Sequence, residues 1–209
     1  MSTILCYGDS NTWGYIPGGI GRHSWEVRWP GVLQNSLDPK YRVIEEGLNG
    51  RTTRIEDPDS AIRNGLKYLP VSLETHYPIE LLIIMLGTND TKFDFGLTAH
   101  GITQGVASLV QCAKEFEPAI ANILLVSPAH IIPTDDEEIS DRFRESIPKS
   151  LELAEHYRHL ADESGCHFFD AATVAKSSPV DGIHLDAENH KLLGQGIAEK
   201  VNAILGKQS

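Results

Sequence analysis

Positive charge is scarce in this sequence. Its 209 residues carry 18 lysines and arginines against 29 aspartates and glutamates, a formal net charge of −11 at pH 7. A surface so short of cations has little with which to neutralise a phosphate backbone, so a nucleic-acid partner is not expected. Long apolar runs are missing too. The longest, residues 81–86, falls far short of the roughly 20 residues that a membrane-spanning helix requires, and no membrane association is expected. The first basic residue is Arg22, so the N-terminal stretch lacks both the charged and the apolar segments of a secretory leader, and a cytoplasmic location is expected. Cysteine is limited to Cys6, Cys112 and Cys166, with no C-x-x-C or Cys/His ligand spacing. Three reduced, buried thiols are the expectation, and no metal site is indicated.

What is present is a chain 41% hydrophobic, enough for one globular domain with a sizeable core. Short β-rich apolar runs alternate with longer segments of helical period, the pattern of a parallel sheet with helices on both faces. Strands are expected at residues 3–7, 42–45, 80–86, 122–127 and 167–170, and helices at 25–37, 65–76, 98–116, 144–163 and 187–205. No internal repeat, low-complexity linker or composition shift marks a boundary, so residues 1–209 are expected to form a single domain. The acidic run 135–138 follows Pro133 and precedes a helical pattern, which reads as a solvated loop with helix-start charges. The glycine-rich residues 17–21 lack the lysine and hydroxyl of a P-loop, and a flexible loop is the better reading.

Functional groups of open α/β sheets gather at the carboxyl ends of the strands. The segments following these strands are polar: Gly8-Asp9-Ser10-Asn11, Gly47-Leu48-Asn49-Gly50 and Gly87-Thr88-Asn89-Asp90, with Asp181-Gly182-Ile183-His184 near the C-terminus. A serine hydroxyl needs a base to become a nucleophile, and neutral imidazole suits that task. His184 is the candidate base for Ser10. Asp181, three residues earlier, can reach the imidazole within one turn, fix its tautomer and stabilise the imidazolium. Asn89 offers a side-chain amide to an oxyanion, and the Gly50 and Ser10 amides could complete the donor set. Each piece alone reads as an ordinary turn or cap; the conjunction at successive strand ends does not.

These four blocks resemble those of the SGNH, or GDSL-type, hydrolases. The resemblance implies a three-layer α/β/α flavodoxin-like domain with a five-stranded parallel sheet, acting as a cofactor-independent serine hydrolase on small-molecule esters. It implies Ser10, Asp181 and His184 as the catalytic triad, with Ser10, Gly50 and Asn89 as oxyanion donors. Residues 27–29, 43–53 and 84–92 also resemble the bacterial arylesterase and acyltransferase branch, which suggests short-chain acyl esters, acyl transfer to alcohols, and a homo-oligomer. That branch can use alanine where this chain has Gly50; since the donor is backbone, either residue is expected to serve. Asn11 replaces the leucine of the GDSL name, and Tyr15 stands where a tryptophan is expected near the acyl pocket. The α/β-hydrolase elbow is disfavoured, because no glycine lies two residues after Ser10.

Asn11, Trp13 and Tyr15 are therefore expected to touch substrate, with Trp25 and Trp29 further candidates for restricting the acyl group. Of the other histidines, His130 is a candidate for the pocket wall; most of the rest, His190 among them, read as surface or cap residues. Two other readings stay open: deacetylation of a carbohydrate or natural product, and a non-catalytic flavodoxin-like module that binds a small ligand at the same strand ends.

Overall fold

Along the third strand, successive apolar side chains point to opposite faces of a sheet, and both faces are covered. In this computed structural model, which describes residues 2–19 and 21–206, five parallel strands run β1 (Ser2–Gly8), β2 (Tyr41–Gly47), β3 (Ile79–Met85), β4 (Ile123–Ser127) and β5 (His167–Asp170). Their spatial order is β2-β1-β3-β4-β5. Parallel neighbours require crossover connections, and these carry the helices that bury both faces, which is why the strands read as nearly unbroken apolar runs.

The alternation sorts the core into two layers. Leu81, Ile83 and Met85 of β3 join Ile4, Leu124 and Val126 in a cluster closed by α2 (Trp29–Ser36) and α7 (Ala187–Leu205) through Trp29, Leu33, Leu193 and Ile197. Leu82 and Ile84 face the other way with Leu5 and Leu125. They pack under α3 (Gly65–His76), α4 (Ala99–Glu115) and α6 (Ser146–Ser164) through Leu69, Ile102, Leu109 and Leu153. The result is the α/β/α sandwich expected from the sequence.

Helix starts follow side-chain caps that satisfy otherwise orphaned amides. Asn64 accepts from the Lys67 amide at 3.1 Å, Thr98 from Gly101 at 3.2 Å, and Asp186 from Asn189 at 2.9 Å. The helix expected from residue 25 begins only at Trp29, because Arg28 is extended (φ −62°, ψ 142°) and Pro30 occupies the first turn. The helix expected over 144–163 is α6, displaced by one or two residues at its ends, and the acidic run before it starts a short helix of its own. Asp136 accepts from the Ile139 amide and starts the short α5 (Glu137–Arg142), the helix-start role expected of the acidic run. Glu145 then takes a left-handed conformation (φ 66°), and α6 begins at the buried Ser146, whose hydroxyl donates to the Thr91 carbonyl at 2.8 Å.

The three cysteines are free, but only Cys6 is fully buried; Cys112 and Cys166 are half-buried, on the rim of the layer under α4 and α6. Burial pushes the Cys6 thiol well above its ordinary range, aided by the charge of Glu45. Among the described residues, no helix is long and apolar enough to cross a membrane.

The topology sets where a site can form. β1 pairs with β2 on one side and β3 on the other, so chain connections leave in opposite directions and a crevice opens at their carboxyl ends. Leu82, fully buried in the central strand, tests the core beneath that crevice. Leu82→Ala is expected to lower stability by about 2–5 kcal/mol, read as a reduced urea midpoint with an unchanged slope.

Candidate active site

Ser10 opens the one-turn helix α1 (Ser10–Trp13) directly after β1. The turn is held by the Asp9 carboxylate, which accepts from the Asn11 amide at 2.9 Å, and is closed by Gly14 in the left-handed region (φ 88°). α1 lies against the end of β2 so closely that a Cβ built on Gly47 would fall 2.2 Å from the Trp13 nitrogen. Only glycine permits that approach.

From the loop before α7, Asp181 and His184 come to the same strand end. His184 Nε2 lies 2.9 Å from Ser10 Oγ, and His184 Nδ1 lies 2.8 Å from Asp181 Oδ2. Asp181 Oδ1 also accepts from the Ile183 and His184 amides at 3.1 and 2.9 Å, and Oδ2 from the Gly18 amide at 3.1 Å. Burial works to raise the Asp181 carboxyl. The His184 ring, together with those two amides, outweighs it and brings the group down to about 2. An ionised carboxylate can only accept, so His184 carries its proton on Nδ1 and offers the Nε2 lone pair to the Ser10 hydroxyl.

Residues 48–51 form a tight turn in which the Arg51 amide donates to Leu48 C=O at 3.0 Å and Gly50 takes φ 77°, as the third position of a type II turn requires. Asn89 donates to the Arg51 carbonyl at 3.1 Å. Its NH2 carries a second hydrogen, and Asn89 lines, with Ser10, Gly50 and His184, a cavity of about 160 Å³. The structure thus gathers all the triad and oxyanion candidates in one place.

The expected substrate contacts divide differently. Tyr15 lines the cavity and its ring lies over His184, centroids 4.4 Å apart. Asn11 does not line it: its Nδ2 donates to Ile183 C=O at 3.2 Å and its Oδ1 accepts from the Leu185 amide at 3.0 Å, so it clamps the His184 loop onto α1. Trp13 is turned toward Arg22, whose guanidinium sits 4.9 Å from the ring. Trp29 belongs to the core, and Trp25 lies beneath Arg28. His130 is half-buried and outside the cavity wall, its carbonyl accepting from Ser177 Oγ at 2.8 Å. His190 is not a surface residue: it is fully buried against His23, and burial, reinforced by His23, Arg28 and His184 and opposed by Asp186, lowers it to about 3. Of the loop expected at 17–21, residues 17–19 and 21 lie in no helix or strand and Gly18 is tied to Asp181, while Ile20 lies outside the described residues.

Several participants were given no role from the sequence, although Asp9 and Asp90 stand in its polar blocks. Arg51 runs beneath the site, donating to Gly8 C=O at 2.9 Å and to Glu46 C=O, with its guanidinium 4.1 Å from the Tyr7 ring. Arg63, Lys92 and Arg142 all line the cavity. Asp9 and Asp90 are buried carboxyls under the nucleophile. Burial raises each to about 6, against the Asn11 amide for Asp9 and against the Thr53 hydroxyl (2.5 Å) and amide (3.0 Å) for Asp90. Among the described residues, no group of three or more His, Cys, Asp or Glu is placed to hold a metal.

A parallel α/β/α sandwich with a Ser-His-Asp arrangement at its switch point defines a serine-hydrolase type of architecture. The chain belongs to the GDSL-like lipase/acylhydrolase family, whose sequence signature matches residues 6–192. Solved structures similar to it include a carbohydrate acetylesterase from Sinorhizobium meliloti, 40% identical over 98% of this chain and 100% of that one, TM-score 0.95. An aryl esterase from M. smegmatis is 40% identical with the same coverage, TM-score 0.94. A putative arylesterase from Agrobacterium tumefaciens is 43% identical over 98% of this chain and 100% of that one, TM-score 0.92. The protein is accordingly a carboxylic ester hydrolase of the SGNH type.

Two expectations about the site can be checked directly. Alanine is not equivalent to glycine at position 50 in this chain, because φ is 77° and an added Cβ would lie 2.7 Å from Arg63 Nε. Gly50→Ala is expected to cost about 1–2 kcal/mol in chemical denaturation; adding Arg63→Ala should recover the steric share and leave the torsional one. Asp90 ionises higher in the fold than its ordinary 3.8, so the native state holds the extra proton between about 4 and 6. Its contribution to stability is complete below the ordinary value and is lost as pH rises through about 6. Asp90→Asn should flatten that decline in a series of urea midpoints taken from pH 4 to 7.

Proposed function

We propose that the protein hydrolyses short-chain acyl esters, aryl and carbohydrate acetates among them, through an acyl-enzyme on Ser10. The observation that carries this reading is the continuous chain from Ser10 Oγ to His184 Nε2 (2.9 Å) and from His184 Nδ1 to Asp181 (2.8 Å). Ser10 Oγ attacks the ester carbonyl as His184 Nε2 takes its proton. The carbonyl oxygen becomes an oxyanion facing the Ser10 and Gly50 amides and the Asn89 amide group, a donor type worth about 3 kcal/mol of barrier each. Collapse breaks the bond to the alcohol, which leaves with the proton from His184. Water then gives its proton to His184 and attacks the acyl-serine; the second collapse returns the proton to Ser10 and releases the acid. The sum is ester plus water to acid plus alcohol. An alcohol in place of water yields a new ester, the acyl-transfer variant of the same steps.

Asp181 is the positioning partner in this scheme. Its Gly18 contact and the Asn11 clamp hold the loop that carries the base. Tyr15 over the imidazole narrows the space beside the reacting atoms, in keeping with small acyl groups. The names of the M. smegmatis and S. meliloti structures point to aryl esters and carbohydrate acetyl esters respectively, and the shared chemistry is hydrolysis of a carboxylic ester.

The test is the initial rate of p-nitrophenyl acetate hydrolysis by the wild type and by Ser10→Ala, both shown to be folded by circular dichroism. A loss of about a thousandfold or more in the variant is expected, together with stoichiometric labelling of the wild type alone by an organophosphonate. Equal rates and no labelling would remove the covalent serine route and favour a ligand-binding module.

A further inference from the structure

We infer that this site selects esters that also carry an anion, a carboxylate or a similar oxyanion, held by Arg63, Lys92 and Arg142 beside the oxyanion donors. The inference rests on the esterase reading above and deepens it by naming the class of substrate.

The cavity that holds Ser10, Gly50, Asn89 and His184 is also lined by these three cations, and its lining contains no carboxylate among the described residues. In a chain of net charge −11, such a concentration runs against composition. Arg63 is packed against the oxyanion turn itself, within 2.7 Å of where a Cβ on Gly50 would stand, so a group reaching that guanidinium lies next to the scissile carbonyl. One buried carboxylate serves two of the three: Asp57 Oδ2 accepts from Arg63 Nη1 at 2.9 Å and from Lys92 Nζ at 3.3 Å. Among the described residues, Arg142 pairs only with Glu138, at 3.9 Å, an exposed pair of little strength. Asp59 and Asp94 line the next depression outward with Lys92 and Arg142, but both are exposed to water.

The cations are therefore underpaired, and an incoming anion relieves their mutual repulsion. Burial holds the Lys92 ammonium below its ordinary range; the charges of Arg63 and Arg142 push the same way and Asp57 opposes them. The depression on the other side of His184 is lined by Asp136 and Glu138. The cleft is thus bipolar, and an anion is directed to one side only. At an ionic strength where fields decay over about 8 Å, the contacting cations outweigh the distant negative surface.

Two matched ester pairs test the inference and locate the anion. In one the charge sits on the leaving group, 4-acetoxybenzoate against its methyl ester. In the other it sits on the acyl group, mono-4-nitrophenyl glutarate against its methyl-capped diester. Each kcat/KM is divided by the uncatalysed rate, at low and high salt, for the wild type and Arg142→Glu. The wild type is expected to prefer the free carboxylate in at least one pair by about fivefold or more, mainly through KM, with the preference shrinking in salt. Arg142→Glu should cut that selectivity ratio about tenfold. No preference in either pair, or a preference indifferent to both salt and Arg142→Glu, overturns the inference. Hydrolysis of the neutral esters that survives Ser10→Ala would instead overturn the Ser10 acyl-enzyme reading, so the two failures are distinguishable.

Discussion

The Asp181 carboxylate gathers four N–H groups, from the His184 ring, the His184 and Ile183 main chain, and Gly18. Because its oxygens are engaged by donors, the carboxylate stays ionised, the imidazole keeps its proton on Nδ1, and Nε2 is left to face Ser10. The same oxygens tie the Gly18 loop to the loop before α7. Asn11 supplies the complementary restraint from the nucleophile's side, bonding to Ile183 and Leu185. Base and nucleophile, 2.9 Å apart, are thus held by two clamps, the Asp181 carboxylate and the Asn11 amide.

Beneath that arrangement the protein tolerates an unfavourable burial. Asp9 and Asp90 sit under Ser10 and Asn89 with carboxyls raised to about 6, which means that at neutral pH two charges are held where water would solvate them better. Their compensations are structural: Asp9 organises the turn that presents Ser10, and Asp90 binds Thr53 to the segment that carries Asn89. A site that needs fixed dipoles near a developing oxyanion is commonly built at such local expense. The cationic wall of Arg63, Lys92 and Arg142 is a second departure from what stability alone would select, and it lies in the cavity of the nucleophile rather than on the general surface.

Where local periodicity governs, sequence and structure agree closely. The helices at 65–76 and 187–205 have the bounds expected from their patterns, because amphipathic spacing and adjacent caps act within a few residues. The helix expected from residue 144 starts two residues later, at Ser146, whose hydroxyl donates to the Thr91 carbonyl, a contact between distant segments that no window of sequence contains. The aromatic residues near Ser10 show the same division. Trp13, Tyr15 and Trp29 are similar in sequence, but the packing of α2 on α7 takes Trp29 into the core, Arg22 covers Trp13, and only Tyr15 is left over the imidazole.

The sequence by itself determined the layered α/β architecture and the chemical identity of the triad candidates, because strand periodicity and the short Gly-Asp-Ser, Gly-x-Asn-Asp and Asp-x-x-His blocks are local properties. The tertiary structure decided what surrounds them. Arg63 follows a loop, Lys92 a short turn and Arg142 a helix end, and nothing in their separate surroundings marks them as neighbours. The same holds for the Gly18 amide on Asp181 and for the burial of His190. Charge and desolvation act through space rather than along the chain, so the electrostatic character of the cleft existed only once β1, β3 and the loop before α7 had been brought to one end of the sheet.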